Sequence, residues 1–278
     1  VLYQERVELI KKCLEKIKNF KIIIIDNDNN LDLKNKISSE YKIYKYKLNK
    51  KNIGFSKAAN MAINMSDTKY ILNINADCII EENAILELLK TNQKYNDCFI
   101  TSPTFYNSNN QVIQNSATFS EKKIFPKWLK TKFDGDICVD WVLGSAILFE
   151  KEVMKDIGMF DENFFLFFLD EDICKRALNK KKSTIQLSNV SAIHVHGISK
   201  VKNRFKRIFL RNFNFTFDEL YYFHKIKKHK EVYHSLKKKI PQYFIKTFLN
   251  ILLLRLDKAT IYVSKILAYN KFKKFIKN

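Results

Sequence analysis

Two acids in this chain close apolar runs, and a third group of acids interrupts a run of phenylalanines. Asp26 ends KIIIID (21–26), and Asp77 ends KYILNINAD (69–77). Further on, FDENFFLFFLDEDICKR (160–176) sets Asp161, Glu162, Asp170, Glu171 and Asp172 around Phe164, Phe165, Phe167 and Phe168. Burying carboxylates beside aromatic rings costs free energy unless each is paired, metal-bound or protonated. The chemistry open to such groups is proton transfer or the holding of a hard cation. Plainer readings stand beside these: an acid after a strand caps a loop, and Asp170, Glu171 and Asp172 suit the first turn of a helix. His194 and His196 form an HxH on a strand pattern and so share a face, but a zinc site would need further ligands.

The elements that must position these residues follow from periodicity. Val7, Ile10, Leu14 and Ile17 recur at helical spacing, and FSKAANMAINM (55–65) and ENAILELLK (82–90) also read as helices. KIIIID is a continuous apolar run, as in a strand covered on both faces. YKIYKYKL (41–48), KYILNIN (69–75), CFITSP (98–103) and VLGSAILF (142–149) read as further strands. VLY at the start reads as the end of a strand that begins upstream. Residues 105–140 are more polar and irregular. A helix is expected over 171–180, then strands in STIQLS and VSAIHVH, and long basic helices after Ser199. Alternating strands and helices predict an α/β fold, a mostly parallel central sheet flanked by helices. Ligands in such sheets bind at the carboxyl ends of strands, where Asp26 and Asp77 stand.

Composition narrows the class. Of 278 residues, 46% are hydrophobic and only 5 are Gly and 3 Pro, which excludes collagen-like and linker-rich chains. Net charge is +21 and unevenly held: residues 200–278 carry 21 Lys+Arg against 4 Asp+Glu, a net +17. The chain therefore divides into an ordinary domain, 1–199, and a basic, aromatic-rich helical tail, 200–278. The five cysteines are scattered with no CxxC, which points to a reducing compartment. No signal peptide is visible, and FLNILLL (248–254) is far short of the ~20 residues a spanning helix needs.

Four pieces in fixed order carry a resemblance: IIIIDNDN, NIGFSKAAN, LNINADC, and a last block holding DWVLGSAIL, GMFDENFFLFFLDED and HVHGIS. Together they resemble glycosyltransferase family 2, in its bacterial rhamnosyltransferase-like branch, over roughly residues 1–199. The resemblance implies the GT-A nucleotide-diphospho-sugar transferase fold, here with a basic C-terminal helical extension. It implies inverting transfer of a sugar, rhamnose or another hexose, from a nucleotide-diphosphate donor to a lipid-linked or cell-surface glycan.

Residue by residue, it makes Asp77 the carboxylate that holds Mg²⁺ or Mn²⁺ on the donor diphosphate, with Asn75 in place of a first acid. His194, opening HVHGIS with Gly197 and Ser199, would complete the metal or diphosphate site. Asp26 and Tyr3 would bind the nucleoside, by hydrogen bonding and stacking, and Asn52 and Gly54 would let their loop approach the nucleotide. Asp170 falls on the general base, Asp172 on the last acid of that motif as a support, and Leu169 replaces its first acid. Trp141 and Gly144 would line the acceptor or donor-sugar pocket; core packing is an equal reading for Trp141.

The tail interleaves basic residues with Phe and Tyr, as in RFKRIFLRNFNF, KIKKHKEVYHSLKKK and KFKKFIK. That pattern suits an anionic membrane surface, with lysines snorkelling and rings among headgroups. In the family resembled, surface-polysaccharide acceptors are lipid-linked, so the resemblance together with this tail implies a cytoplasmic protein, peripheral at the inner face of the bacterial cytoplasmic membrane. Two rivals stand: a nucleic-acid-binding protein driven by tail charge, and a degenerate GT-A protein that binds sugars without catalysis.

Overall fold

The computed structural model describes residues 1–113, 115–119, 127–129, 131–195, 203–227 and 229–277. Within these, contacts divide the chain into two compact units, 1–161 with 169–200, and 162–168 with 201–278.

The first unit opens with helix α1 (Val7–Ile17), which buries Leu9, Ile10, Cys13, Leu14 and Ile17 along one stripe. The apolar run then forms β1 (Ile23–Asp26), parallel to β2 (Lys45–Leu48), and Leu2 makes a parallel bridge to Asp26. Between these strands lies α2 (Leu31–Glu40), which the sequence reading did not anticipate. Only its Leu33 and Ile37 are buried, too sparse a stripe to read, and Asn30 caps it by accepting from Leu33 N–H at 2.9 Å. Helix α3 (Phe55–Met65) is followed by β3 (Tyr70–Ile74), β4 (Cys78–Ile80), α4 (Glu82–Lys94) and β5 (Cys98–Tyr106). Short strands β6 (Ser116–Thr118), β7 (Lys127–Leu129), β8 (Ile137–Val139) and β9 (Trp141–Val142) occupy the irregular region. Then come β10 (Ala146–Glu150), α5 (Lys151–Ile157), α6 (Leu169–Asn179) and β11 (Ser183–His194).

The main sheet has the order β3-β10-β5-β11-β4, with β8 also paired to β11. Its polarity is mixed. β10 runs antiparallel to both β3 and β5, which therefore run parallel to one another, and β5 is parallel to β11. The alternation of strands and helices thus built a parallel frame, into which β10 enters from downstream. STIQLS and VSAIHVH, expected as two strands, are one strand whose register against β5 shifts between Gln186 and Ser191. β5 is buried at all residues but Tyr106, as a central strand must be.

In the second unit the tail forms three helices, α7 (Arg204–Lys225), α8 (His229–Leu252) and α9 (Leu256–Phe275). The segment 162–168 packs on α7: Phe164 meets Tyr221 edge-on at 4.9 Å and Phe168 stacks on Tyr222 at 5.5 Å. Asp218, fully buried, accepts the backbone N–H groups of Phe165, Leu166 and Phe167 at 2.9–3.1 Å. Burial pushes its carboxyl up to about 6, against the pull of those three donors.

Candidate active site

At the carboxyl end of β1 the chain must turn away from a parallel strand, and side-chain amides hold the turn. Asp26 is buried; its carboxylate accepts Asp28 N–H at 2.7 Å and the Tyr46 hydroxyl at 3.1 Å. Burial raises its pKa and those two donors oppose the rise. Asn27, also buried, donates to Gly54 O at 3.2 Å and accepts from Asn49 at 2.9 Å. Asn52 accepts Gly54 N–H at 2.9 Å, an Asx turn that delivers the chain into α3. Gly54 has φ +88°, a left-handed conformation in which a side chain would be strained. Tyr3 is half-buried beside this group, between Leu2 on β1 and Gln4, which donates to Asp28 at 2.9 Å.

A second cluster gathers where β3 and β11 end and β10 begins. β3 stops at Ile74, so Asn75, Ala76 and Asp77 form a turn rather than the last residues of a strand. Asn75 is fastened to Ser145 by its backbone N–H on Ser145 O at 2.9 Å and by its side chain on Ser145 Oγ at 3.3 Å. Ser145 Oγ in turn lies 3.3 Å from His194 Nδ1, and His194 Nε2 lies 3.3 Å from Asp77 Oδ1. Next to Ser145, Gly144 N–H donates to Asp170 Oδ2 at 2.9 Å. The contacts therefore run without a gap from Asp77 through His194, Ser145 and Gly144 to Asp170. Glu5, at the end of the segment that carries Tyr3, is pushed up to about 7, first by burial and next by the charge of Asp77.

Asp170 sits in the first turn of α6, half-buried, and desolvation raises its pKa while the Gly144 N–H pulls it down. Glu171 is raised further, by burial and then by Asp170. An ideal Cβ on Gly144 would come within 2.9 Å of Asp170 Oδ2, so the close approach requires glycine at that position. Asp172 is buried and accepts from Arg176 Nε at 2.8 Å, while the same guanidinium donates to Ile157 O and Met159 O. Asp172 therefore braces the turn after α5 rather than facing solvent. Trp141 is 3% exposed, in β9 opposite Ala117 of β6.

Several positioning residues lay inside motifs the sequence reading quoted without giving them a role. Asn60, the last residue of NIGFSKAAN, donates to Phe160 O at 2.8 Å and accepts Phe160 N–H at 3.0 Å. Ser145 of DWVLGSA and Asn27 of DND are others. His196, Gly197 and Ser199 of the last motif lie outside the described residues.

The donor set of Asp77 and His194, one hard oxygen and one imidazole nitrogen, suits a divalent ion that draws its other ligands from phosphate and water. Among the described residues no group of three His, Cys, Asp or Glu side chains stands close enough to hold a metal.

Comparison with known proteins settles the family. Residues 1–157, more than half of the chain, match the family model described as glycosyl transferase family 2. The chain belongs to glycosyl transferase family 2. It is 23% identical to a dTDP-rhamnosyl transferase, RfbF, of Shigella flexneri, over 73% of this chain and 69% of that one. It is 26% identical to the rhamnosyltransferase WbbL of Escherichia coli K12, over 76% of this chain and 87% of that one. A crystal structure of GalNAc-T7 with UDP, GalNAc and Mn²⁺ shares its fold at a TM-score of 0.52 and 15% identity, over 68% of this chain. The match spans only 40% of that solved chain. These likenesses place the fold in the GT-A type and the sequence in a rhamnosyltransferase-like part of the family.

Proposed function

We propose that this chain is an inverting transferase that moves a sugar from a nucleotide diphosphate onto a glycan hydroxyl. The observation that carries the proposal is the carboxylate of Asp170. It is oriented by Gly144 N–H and joined through Ser145 and His194 to Asp77. In this reading Asp170 takes the proton of the acceptor hydroxyl as that oxygen attacks the anomeric carbon. The bond to the diphosphate oxygen breaks, and the nucleoside diphosphate leaves. A positioned base contributes about 10²–10⁴-fold, and a carboxyl with a raised pKa is the stronger base. Asp26 and Tyr3 would hold the nucleoside, and Asn52 and Gly54 would let the loop come close to it. Trp141 and Gly144 would shape the sugar pocket.

Asp77 and His194 would hold Mg²⁺ or Mn²⁺, which when bound neutralises charge on the departing diphosphate. The similarity to dTDP-rhamnosyl transferase makes deoxythymidine diphosphate rhamnose the first donor to test. The acceptor is read as a lipid-held glycan at the inner membrane face, and the tail as the membrane-associating part of the chain. That reading is supported by the +17 charge of residues 200–278. No helix among the described residues is long and apolar enough to cross a membrane.

The test is nucleotide release from a panel of donors with the wild-type chain and Asp170→Asn. The variant should lose about 10²–10⁴-fold in turnover with donor affinity kept. Full activity in Asp170→Asn would remove Asp170 from the base role. Absence of turnover with every donor by the wild type would favour a sugar-binding, non-catalytic protein.

A further inference from the structure

Helices α8 and α9 form an antiparallel hairpin, with Tyr233 stacked on Tyr269 at 5.2 Å and Tyr243 tilted against Tyr262 at 5.4 Å. Along α8 the half-buried residues Tyr233, Leu236, Ile240, Tyr243, Thr247 and Asn250 recur every three or four positions, the stripe of a single packed face. The outer surface changes character along its length. Its first half presents Lys237, Lys238 and Lys239; its second half presents Phe244, Ile245, Phe248, Leu249 and Leu252. The apolar surface then continues through Leu253 and Leu254 around the turn. Phe248 and Leu252 are each 63% exposed and Leu254 is 84% exposed.

Water gives no reason for this arrangement. Exposed apolar patches of such size mark interaction sites, because scattered single residues are the norm on a soluble surface. Leu254 sharpens the point. Its φ is +53°, where glycine or asparagine is the usual residue, yet the turn holds a branched apolar side chain and projects it outward. Charge identifies what covers the patch. From Val232 to Leu256 there is no Asp or Glu, while Lys237, Lys238, Lys239, Lys246 and Arg255 all lie there. Two copies of such a surface would repel one another. A nucleic acid would answer the cations but not the leucines.

We propose that the hairpin tip, Phe244 to Leu256, inserts among the headgroups of an anionic lipid bilayer. Its apolar residues enter the acyl boundary while Lys246 and Arg255 snorkel to the phosphates and Lys237–Lys239 are drawn by the surface charge. The hairpin lies in the interface and does not span it. The purpose of this contact, bringing the sugar site to a lipid-held acceptor, rests on the transferase reading; the contact itself does not.

The experiment is flotation of the full chain, without donor, on vesicles of phosphatidylcholine with about one-third phosphatidylglycerol, and on phosphatidylcholine alone. Wild type should float with the anionic vesicles and be released by salt. Leu252→Glu with Leu254→Glu should lower the bound fraction roughly tenfold. Leu254→Gly, which relieves the left-handed strain and so folds at least as well, should also weaken binding. Changing Lys237, Lys238 and Lys239 to Gln should flatten the salt dependence. Wild type that stays off anionic vesicles at low salt, or a double glutamate variant that floats as well as wild type, overturns the proposal. So does a concentration-dependent dimer abolished by the double variant in a chain that ignores vesicles. Nucleotide release with a soluble acceptor, run in parallel, would report a failure of the transferase reading separately.

Discussion

At the scale of single residues, the site turns on a glycine and an acid that fix each other. Asp170 approaches the backbone of Gly144 so closely that a methyl group there would press on its carboxylate. Gly144→Ala should therefore lower turnover about 100-fold, far more than it weakens donor binding, as expected when a base is displaced from its acceptor. Nucleotide release and donor titration read the two effects apart. The pH profile carries a further expectation. As the proposed base, Asp170 would work deprotonated, and burial holds its pKa above the ordinary carboxylate value. Activity should therefore fall as pH drops through that raised value, above the range where an exposed aspartate titrates. Alanine keeps the N–H that favours the charged form, but its methyl would push the carboxylate away from it, so Gly144→Ala should move the limb upward in pH. An unchanged rate with an unshifted limb would separate Gly144 from the base.

At the scale of elements, side-chain amides tie together pieces that the sequence keeps far apart. Asn60 on α3 grips the backbone of Phe160, a hundred positions away, with a donor and an acceptor together. Asn60→Ala would strand a buried N–H and a buried C=O. The expected loss is about 2–3 kcal/mol, read as a lower urea midpoint with the slope unchanged. Such bonds mark the limit of what periodicity could show. Phe55–Met65 was legible as a helix because Ala59 and Ile63 repeat on one face, and KIIIID as a strand because both faces are covered. α2 was not, with Leu33 and Ile37 as its only buried side chains. Asp77, His194 and Asp170 were chosen from motifs rather than from spacing. No pattern in the sequence could announce that Ser145 joins them, because that link exists only once β10 lies beside β3.

At the scale of the whole molecule, the sequence showed a charge boundary near residue 200, whereas the contacts group segment 162–168 with the last helices. Phe164 is 1% exposed through its packing with Tyr221, and Asp218 satisfies three backbone N–H groups of that segment. A chain ended at residue 200 should therefore melt well below the full one and expose Phe164, with a gain in binding of a hydrophobic dye. Equal melting temperatures would show that the segment needs nothing from α7. The place of β10 has a consequence for the order of synthesis. When residues 1–106 have left the ribosome, β3 and β5 both exist but cannot pair, since the sheet holds a vacant lane between them. The facing edges of β3 and β5 stay unpaired until residue 150 emerges, and β4 and the other edge of β5 wait for β11, intervals in which a chaperone has something to hold. The strand that closes the lane follows directly on Gly144 and Ser145. Asp170 on α6 and His194 on β11 come later still, so β11, the last described strand to enter the sheet, also brings the last residue of the cluster, and the edges are covered and the cluster assembled at the same point.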